Sequence, residues 1–574
     1  MTAIHRISTS AVLLALGASI GAPCASAQHT SLESLSSSGV QQNGVALMRT
    51  SGRALSDDGR YLTFLSYATN LTSGDNNLTN DIFLRDRVLG TTTCLSKIPG
   101  GSATGDNASQ IASMSADGRF VVFESYASNL VAGDTNSYAD VFLYDQTTGS
   151  LSRISVTSSG AEAGGYDPAI TEDGRYVVFA SGASNFDPGG HNNKIDIFVR
   201  DLVAGTTTLA STDASGAYVA NDHCYKPSIS DDGRYVAFRT QATNFASPDT
   251  GKFEDVFLKD MQTGAIVRMS STPSGGESGG ASYQPRVCGD GHLVFYVTDA
   301  SDVTATDANP YADVVVYDVA TGVNSLVDLS STGVQADYGG TDPAPSVDGR
   351  YCVFKSGARN LDPLTPAGNV RHVFVRDLLQ GRCTAETLDP AFAPGNANSS
   401  EPSISGDGKH IAFASFAGNL DPADTNPSSI NDIFFRDRGE VRFVDYGVGL
   451  AGSGGFVPHL FGKDGREIRG DFALEIADGL GATFGNLFIA AAPADLFPVF
   501  GGGHFYVDLT APWLQLPIVV GGAAGVAGAG SLELTGTDLS AYDGTPLYLQ
   551  LLLVDPGAPR KVAMSNGLEM HIGD

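Results

Sequence analysis

Ser230-Asp-Asp-Gly-Arg-Tyr-Val-Ala-Phe238 is a tight turn opening into an apolar strand, and its pattern returns along most of the chain. The turn glycines are Gly59, Gly118, Gly174, Gly233, Gly291, Gly349 and Gly408, separated by 59, 56, 59, 58, 58 and 59 residues. Around this copy, the segment from Pro227 into the turn reads as a short strand. Arg234 to Arg239 alternates apolar and polar residues, as a half-buried strand does. Asp255 to Asp260 is a third strand, Met261 to Gly264 a turn, and Ala265 to Ser270 a fourth strand. Matching third strands stand at Asp81 to Asp86, Asp140 to Asp145, Asp196 to Asp201, Asp313 to Asp318 and Asp432 to Asp437. A fixed period of this size, with several short strands and no helical pattern per copy, predicts radially repeated sheets. The expected fold is all-β: a seven-bladed β-propeller of four-stranded antiparallel blades.

The repeated Ser, Asp-Gly turn, basic residue and apolar strand resemble the TolB-like, WD40-like propeller repeat. The resemblance covers about residues 31 to 440. It implies a propeller and no single activity, because such repeats occur in binding proteins, protease-associated domains and some polysaccharide lyases. There is no α/β domain ahead of the repeats, so the envelope role of TolB itself is not carried over. Leu32-Glu-Ser-Leu-Ser-Ser-Ser-Gly39 is similar to the fourth strand of the second copy, Leu151 to Gly160. The chain's start is therefore expected to supply the outer strand of the seventh blade and leave no open ring edge.

Met1 to Ala27 carries His5 and Arg6, an apolar stretch from Ala11 to Ala22, and Ala25-Ser-Ala27. That order is expected of a cleaved secretory signal, which places the protein in the periplasm or outside the cell. The expected division is a signal peptide over 1–27, the propeller over 28–440, a Gly-rich linker over 441–455 and a C-terminal β-sandwich over 456–574. Short strands at 471–476, 486–491, 504–509, 531–534, 547–554 and 568–572 carry the sandwich reading. The end of the chain, from Tyr548 through Asp555-Pro-Gly557 to Gly573, resembles a terminal domain of secreted planctomycete-type proteins, to which no chemistry is attached.

After the signal, no apolar run reaches the ~20 residues that span a bilayer. Cys94, Cys224, Cys288, Cys352 and Cys383 remain, an odd number spread over different repeats, so no disulfide framework holds the fold. With 63 acidic against 34 basic residues the net charge is -29, which repels phosphate backbones and argues against nucleic acid as a partner. The protein is expected to be monomeric.

The loop between second and third strands carries the most suggestive chemistry. Asp134, Asn136 and Asp140 offer oxygen ligands in a short span, repeated by Asp75, Asn77 and Asp81 and by Asp307, Asn309 and Asp313. Asp424 and Asn426 recur in the seventh copy, with Asp432 two residues late, while the sixth copy loses the set and has His372 in place of the leading Asp. Joint loss marks the residues as a unit, and Ca²⁺ takes several hard oxygen ligands of this kind. Local turn chemistry is the competing reading, and few acidic ligands per motif favour it.

No Gly-x-Ser-x-Gly elbow, His-Glu-x-x-His pair or phosphate loop is present. His191, His223 and Lys226 are the candidates for a cluster near the ring axis, where a propeller enzyme assembles a site from one residue per blade. The leading expectation is a secreted, non-enzymatic binding propeller for a protein or polysaccharide. The alternative is a carbohydrate-active enzyme, a lyase or hydrolase, working in the central funnel. Converging charged residues at the axis favour the enzyme, and a lining of Ser and Ala from the first strands favours the binder.

Overall fold

The computed structural model describes residues 29–186, 192–216, 219–365, 370–389 and 393–438, together with the backbone of strands between 442 and 571. The expected signal segment and His191 lie outside the described residues. Residues Thr30–Arg436 form one compact unit. It is a ring of four-stranded antiparallel sheets, the first being Ala46–Leu47, Tyr61–Ser66, Asp81–Asp86 and Thr91–Cys94, from the inside outward. The seventh sheet consists of Ser399–Ile404, His410–Ser415 and Asp432–Asp437, closed on its outer side by His29–Leu32. The N-terminal strand thus completes the last blade, as its similarity to a fourth strand predicts.

The second strands are not half-buried. Tyr61–Ser66 and Tyr176–Ser181 are buried at every position but the first. Both faces of each blade pack on a neighbouring blade, so alternation chooses between two cores rather than between core and solvent. In the fourth blade, Val236, Phe238 and Phe257 join the core shared with the third blade, whereas Ala237, Val256 and Leu258 join that shared with the fifth. Only fourth strands such as Ser150–Arg153 alternate with exposure, because they form the outer rim.

The repeated motif is built for contact between blades. Ser56 Oγ donates to Asp58 Oδ1 at 2.6 Å and accepts from Tyr61 N at 2.9 Å, which locks the turn. Its basic residue pairs with the Asp that ends the third strand: Arg60 with Asp86 at 2.7 Å, Arg234 with Asp260 at 2.8 Å. The glycine is required twice. Gly118 has φ +70°, and a Cβ there would lie 2.5 Å from Cδ2 of Tyr61 in the preceding blade.

At this end of the ring a belt of hydrogen bonds links each blade to the next. Backbone N-H groups of Asp57, Ala116, Asp231, Gly289 and Val347 donate to carbonyls one blade on, at 2.8–3.1 Å. The two remaining steps use carboxylates: Glu172 N donates to Asp231 and Gly406 N to Asp57, at 2.9 and 2.8 Å. The last step joins the seventh blade to the first.

Beyond the propeller the strands are Arg442–Tyr446, Val562–His571, Leu547–Val554, Phe484–Ala490 and Trp513–Val519 in one sheet, in that order. His459–Gly462, Ala473–Gly479 and Gly530–Thr535 form a second sheet, and Pro493–Pro498 pairs with His504–Val507. All these pairings are antiparallel. The expected sandwich concerns how these sheets pack, which lies outside the described residues.

Candidate functional site

The first strands line the central channel, and in blades two to seven each breaks register at the same place. In the fourth blade Tyr225 pairs with Arg239 and Ser228 with Ala237, so Lys226 and Pro227 bulge opposite a single residue. Ile111, Asp167, Lys226, Gln284, Asp342 and Glu401 occupy this position in successive blades, all with φ between +34° and +57°. Five of the six are followed by proline, which an inner edge strand tolerates because no ladder bond is needed there. Left-handed backbone at non-glycine residues costs of order 1–3 kcal/mol each, and bulges re-aim side chains. Here they gather charged and amide groups around the end of the channel where the first strands begin.

That end opens into a cavity of about 320 Å³ lined by Arg49, Gln110, Lys226, Gln284, Arg286, Asp342 and Glu401 among others. Lys226 Nζ lies 2.5 Å from Asp167, Lys355 Nζ lies 2.7 Å from Asp342, and Gln284 Nε2 donates to Asp342 at 2.7 Å. Arg49 stands 3.8 Å from Glu401. Tyr166, Tyr225 and Tyr283 immediately precede the left-handed residues of blades three to five. Glu124 accepts from Asp167 N, and burial pushes its carboxyl up to about 7.

Arg286 is different. It lies deep in the channel, enclosed by protein yet facing the channel space, and reaches across the ring from blade five to blade one. Its Nη2 donates to the Thr50 carbonyl at 2.7 Å and its Nη1 to the Pro285 carbonyl at 3.1 Å. No described carboxylate forms an ion pair with it, Asp342 and Asp167 acting only from farther away. Burial lowers its pKa to about 10. Beyond Arg286 the channel narrows to about 70 Å³ between Ala169, Ser228, Ala344 and Ser403. Charged groups and the Ser and Ala lining therefore both occur, and the narrow part also carries Arg53, Glu172 and Asp231.

Of the expected axial cluster, Lys226 is in the cavity. His223 is not among the residues that line it, and its Nδ1 accepts from Ile195 N at 2.9 Å. The charged axial residues were readable as a polar residue before proline, varying from copy to copy where the rest of the repeat is constant.

The Asp-x-Asn loops lie at the same end of the ring, and the structure adds partners to them from two further segments. One is a hydroxyl on the segment after the fourth strand. Ser34, Ser96, Ser155, Ser211 and Ser270 donate to Asp432, Asp81, Asp140, Asp196 and Asp255 at 2.5–2.8 Å, and Thr387 meets His372 Nδ1 at 2.8 Å. The other comes from the following loop, where Gln41, Glu162, Glu277 and Gln335 hold equivalent bridge positions.

In blade two, Arg153 Nη1 lies 3.5 Å from Asp134, 3.4 Å from Asp140 and 2.8 Å from Glu162. Asn136 Nδ2 donates to Asp140 and Glu162. Burial works against ionisation of Glu162, but hydrogen bonds from Thr135 and Asn136, with Arg153, hold it down at about 2. In blade four Arg268 Nη1 lies 3.5 Å from Asp249 and 3.7 Å from Asp255. In both blades a guanidinium stands beside the carboxylates, and Asp134, Asp140 and Glu162, like Asp249, Asp255 and Glu277, also have ligand oxygens within 4.8 Å of one another. In blade seven Gln41 donates to Asp424 and Asp432, and Asn426 to Asp432, so amides fill the gap. In blade one Asn77 donates to Asp81, whose carboxyl is pushed up to about 7 by burial. In blade five, Asn309 and Gln335 donate to Asp313, and Gln335 to Asp307.

No family model matches the chain, and no curated protein matches it. Solved structures similar to it include the oligogalacturonate lyase of Vibrio parahaemolyticus, at 13% identity and TM-score 0.42 over 72% of this chain and 97% of that one. A putative TolB from Agrobacterium tumefaciens is 14% identical, TM-score 0.33, over 60% and 94% of the two chains. The WD40 repeats of RRP9 are 8% identical, TM-score 0.34, over 71% and 99%. These likenesses concern fold alone. The class is that of a seven-bladed β-propeller with TolB-like and WD40-like neighbours. Among the described residues no helix is long and apolar enough to cross a membrane.

Proposed function

We propose that the propeller is a binding protein whose ligand is a carboxylate-bearing polysaccharide, held at the wide end of the central channel. The observation that carries this reading is Arg286, a half-buried guanidinium lining a cavity with backbone carbonyls as its hydrogen-bond partners. A guanidinium matches a carboxylate with two parallel hydrogen bonds. Around it Lys226 pairs with Asp167, Lys355 and Gln284 with Asp342, and Arg49 stands near Glu401, so the rim carries charged and amide groups of both signs. A sugar acid can engage both, through hydroxyls and a carboxylate.

The test is calorimetric titration of the full chain with polygalacturonate and with its neutral methyl ester. Binding of the acid form, weakened at least thirtyfold in Arg286→Met and screened by salt, is the expected result. Equal binding of acid and ester, or an unaffected variant, refutes the assignment, and binding of an acidic peptide in place of the sugar redirects it. A second reading, a saccharide-cleaving enzyme in the central channel, is favoured by Glu124, a buried carboxyl that accepts from Asp167 N and is pushed up to about 7 by burial. New reducing ends or unsaturated ends on incubation, lost in Glu124→Gln, establish it.

A further inference from the structure

Blade five departs from the repeated turn at two positions together. Where the other blades have Ser or Thr, as at Ser56, it has Cys288, and where they have Arg or Lys, as at Arg60, it has His292. Asp290, between them, is the turn Asp common to all seven copies. In five other blades the arginine holds the Asp that ends the third strand at 2.7–3.0 Å, whereas in blade five the His292 imidazole acts on Asp318 instead. The two changes gather a sulfur, a nitrogen and an oxygen at the end of the ring opposite the wide cavity. Cys288 Sγ lies 3.1 Å from Asp290 Oδ1 and 3.5 Å from His292 Nδ1, and Nδ1 is in direct contact with the same carboxylate oxygen. Cys288 is buried, while His292 and Asp290 are 48% and 61% exposed, so the group is reachable from solvent. The turn glycine of the next blade seats it: a Cβ on Gly349 would lie 3.4 Å from Cys288 Cβ and 3.5 Å from His292 Cε1. Leu293 N donates to Cys288 Sγ at 3.2 Å, a bond that favours the thiolate.

We propose that Cys288, Asp290 and His292 bind one Zn²⁺ through Sγ, a carboxylate oxygen and Nδ1, with water completing the tetrahedron. The three ligand atoms lie within 4.8 Å of one another. Zn–S of about 2.3 Å and Zn–N or Zn–O of about 2.0–2.1 Å, at tetrahedral angles, put the sulfur roughly 3.5 Å from each of the other two ligands, close to the spacing present. The ion takes the place of the hydrogen bond that joins His292 to Asp290. Thiolate and imidazole select Zn²⁺ over Mg²⁺ and Ca²⁺, which prefer oxygen. Binding expels the thiol proton of Cys288 to solvent, so affinity rises with pH. The other six turns are the internal comparison: the same backbone, with a hydroxyl and a basic side chain in place of the sulfur and the imidazole.

The full chain, reduced and stripped with a chelator, is titrated at pH 7.5 with Co²⁺, whose thiolate complexes show a sulfur-to-metal charge-transfer band in the near ultraviolet. One Co²⁺ per chain with that band, bleached by Zn²⁺, is expected. The thermal midpoint should also rise in Zn²⁺ relative to EDTA, because a ligand that binds the native state stabilises it. Cys288→Ser and His292→Arg restore the residues of the other blades and so keep the turn. Cys288→Ser loses the band and the midpoint rise, and His292→Arg weakens binding at least tenfold. Absence of cobalt binding, or cobalt bound without the band, overturns the proposal and leaves Cys288 as the turn's hydrogen-bond donor to Asp290. An undiminished band in Cys288→Ser overturns it in favour of another cysteine of the chain.

Discussion

Replacing Gly118 by Ala separates the two demands that the repeated motif places on its glycine. Gly118 has φ +70°, and a left-handed backbone costs a non-glycine residue about 1–2 kcal/mol. The new Cβ also meets Tyr61 Cδ2 at 2.5 Å, Cγ at 2.8 Å and Cβ at 2.9 Å, and overpacking of this kind costs about 1–3 kcal/mol. The sum is about 2–5 kcal/mol. Gly90 is the control: its φ is +66° and nothing lies within 4 Å of a Cβ built there, so Gly90→Ala carries only the backbone cost, about 1–2 kcal/mol. Both variants are compared with wild type by urea unfolding, followed by far-ultraviolet circular dichroism and read from the midpoints at constant slope. Adding Tyr61→Ala to Gly118→Ala should recover the steric part, so the double-mutant cycle measures the contact between blades directly. If the two alanine variants agree within about 0.5 kcal/mol, the near limit at which independent sites are distinguishable, aromatic seating on the turn glycine is refuted.

Arg153→Met removes the cation from Asp134, Asp140 and Glu162, and should destabilise by about 3–5 kcal/mol at pH 7.5, as breaking a buried ion network does. Calcium should restore part of that loss, and a variant as stable as wild type in EDTA shows the guanidinium to be dispensable. The pH dependence has a definite sign: Asp81, Glu124 and Asp231 are raised to about 7 and Asp313 to about 6, chiefly by burial. The native state therefore holds extra protons between the ordinary carboxylate range and pH 7. Stability in EDTA is greatest near the lower limit and falls as pH rises through 7. A midpoint that climbs from pH 5 to pH 8 contradicts this. The five cysteines among the described residues are free and buried, with Cys94 and Cys288 pushed up to about 12 by burial, so a thiol reagent should react with them only after unfolding. Labelling of any of them in the native protein at pH 8 is the contrary result.

Much of the architecture is a consequence of local rules repeated at a fixed spacing. Asp-Gly turns, β-branched and aromatic strands and the absence of helical periodicity each act within a few residues, so one copy, read carefully, stands for the rest. The third strand is an example: Asp81–Asp86 and its equivalents begin and end where the sequence pattern places them. The second strand shows where local reading stops. Its alternation in Arg234 to Arg239 looks half-exposed, but the polar Arg239 ends near Glu254 and the rest is covered by the adjacent blades.

The site depended still more on the third dimension. The Asp-x-Asn loops were visible because their residues are neighbours in sequence. Arg153 and Arg268, which stand beside the carboxylates of two of those loops, lie on fourth strands, and strand pairing brings them alongside. Arg286 meets Thr50 across 236 positions of chain, which no period reveals. By itself the sequence determined the class, the number of blades, the closure of the ring by its first strand and the repeated turn, because these follow from short-range conformational preference multiplied by period. Only the tertiary structure decided which charges face the channel and which acidic loops carry their own cation, because burial and electrostatic pairing are properties of groups brought together from different blades.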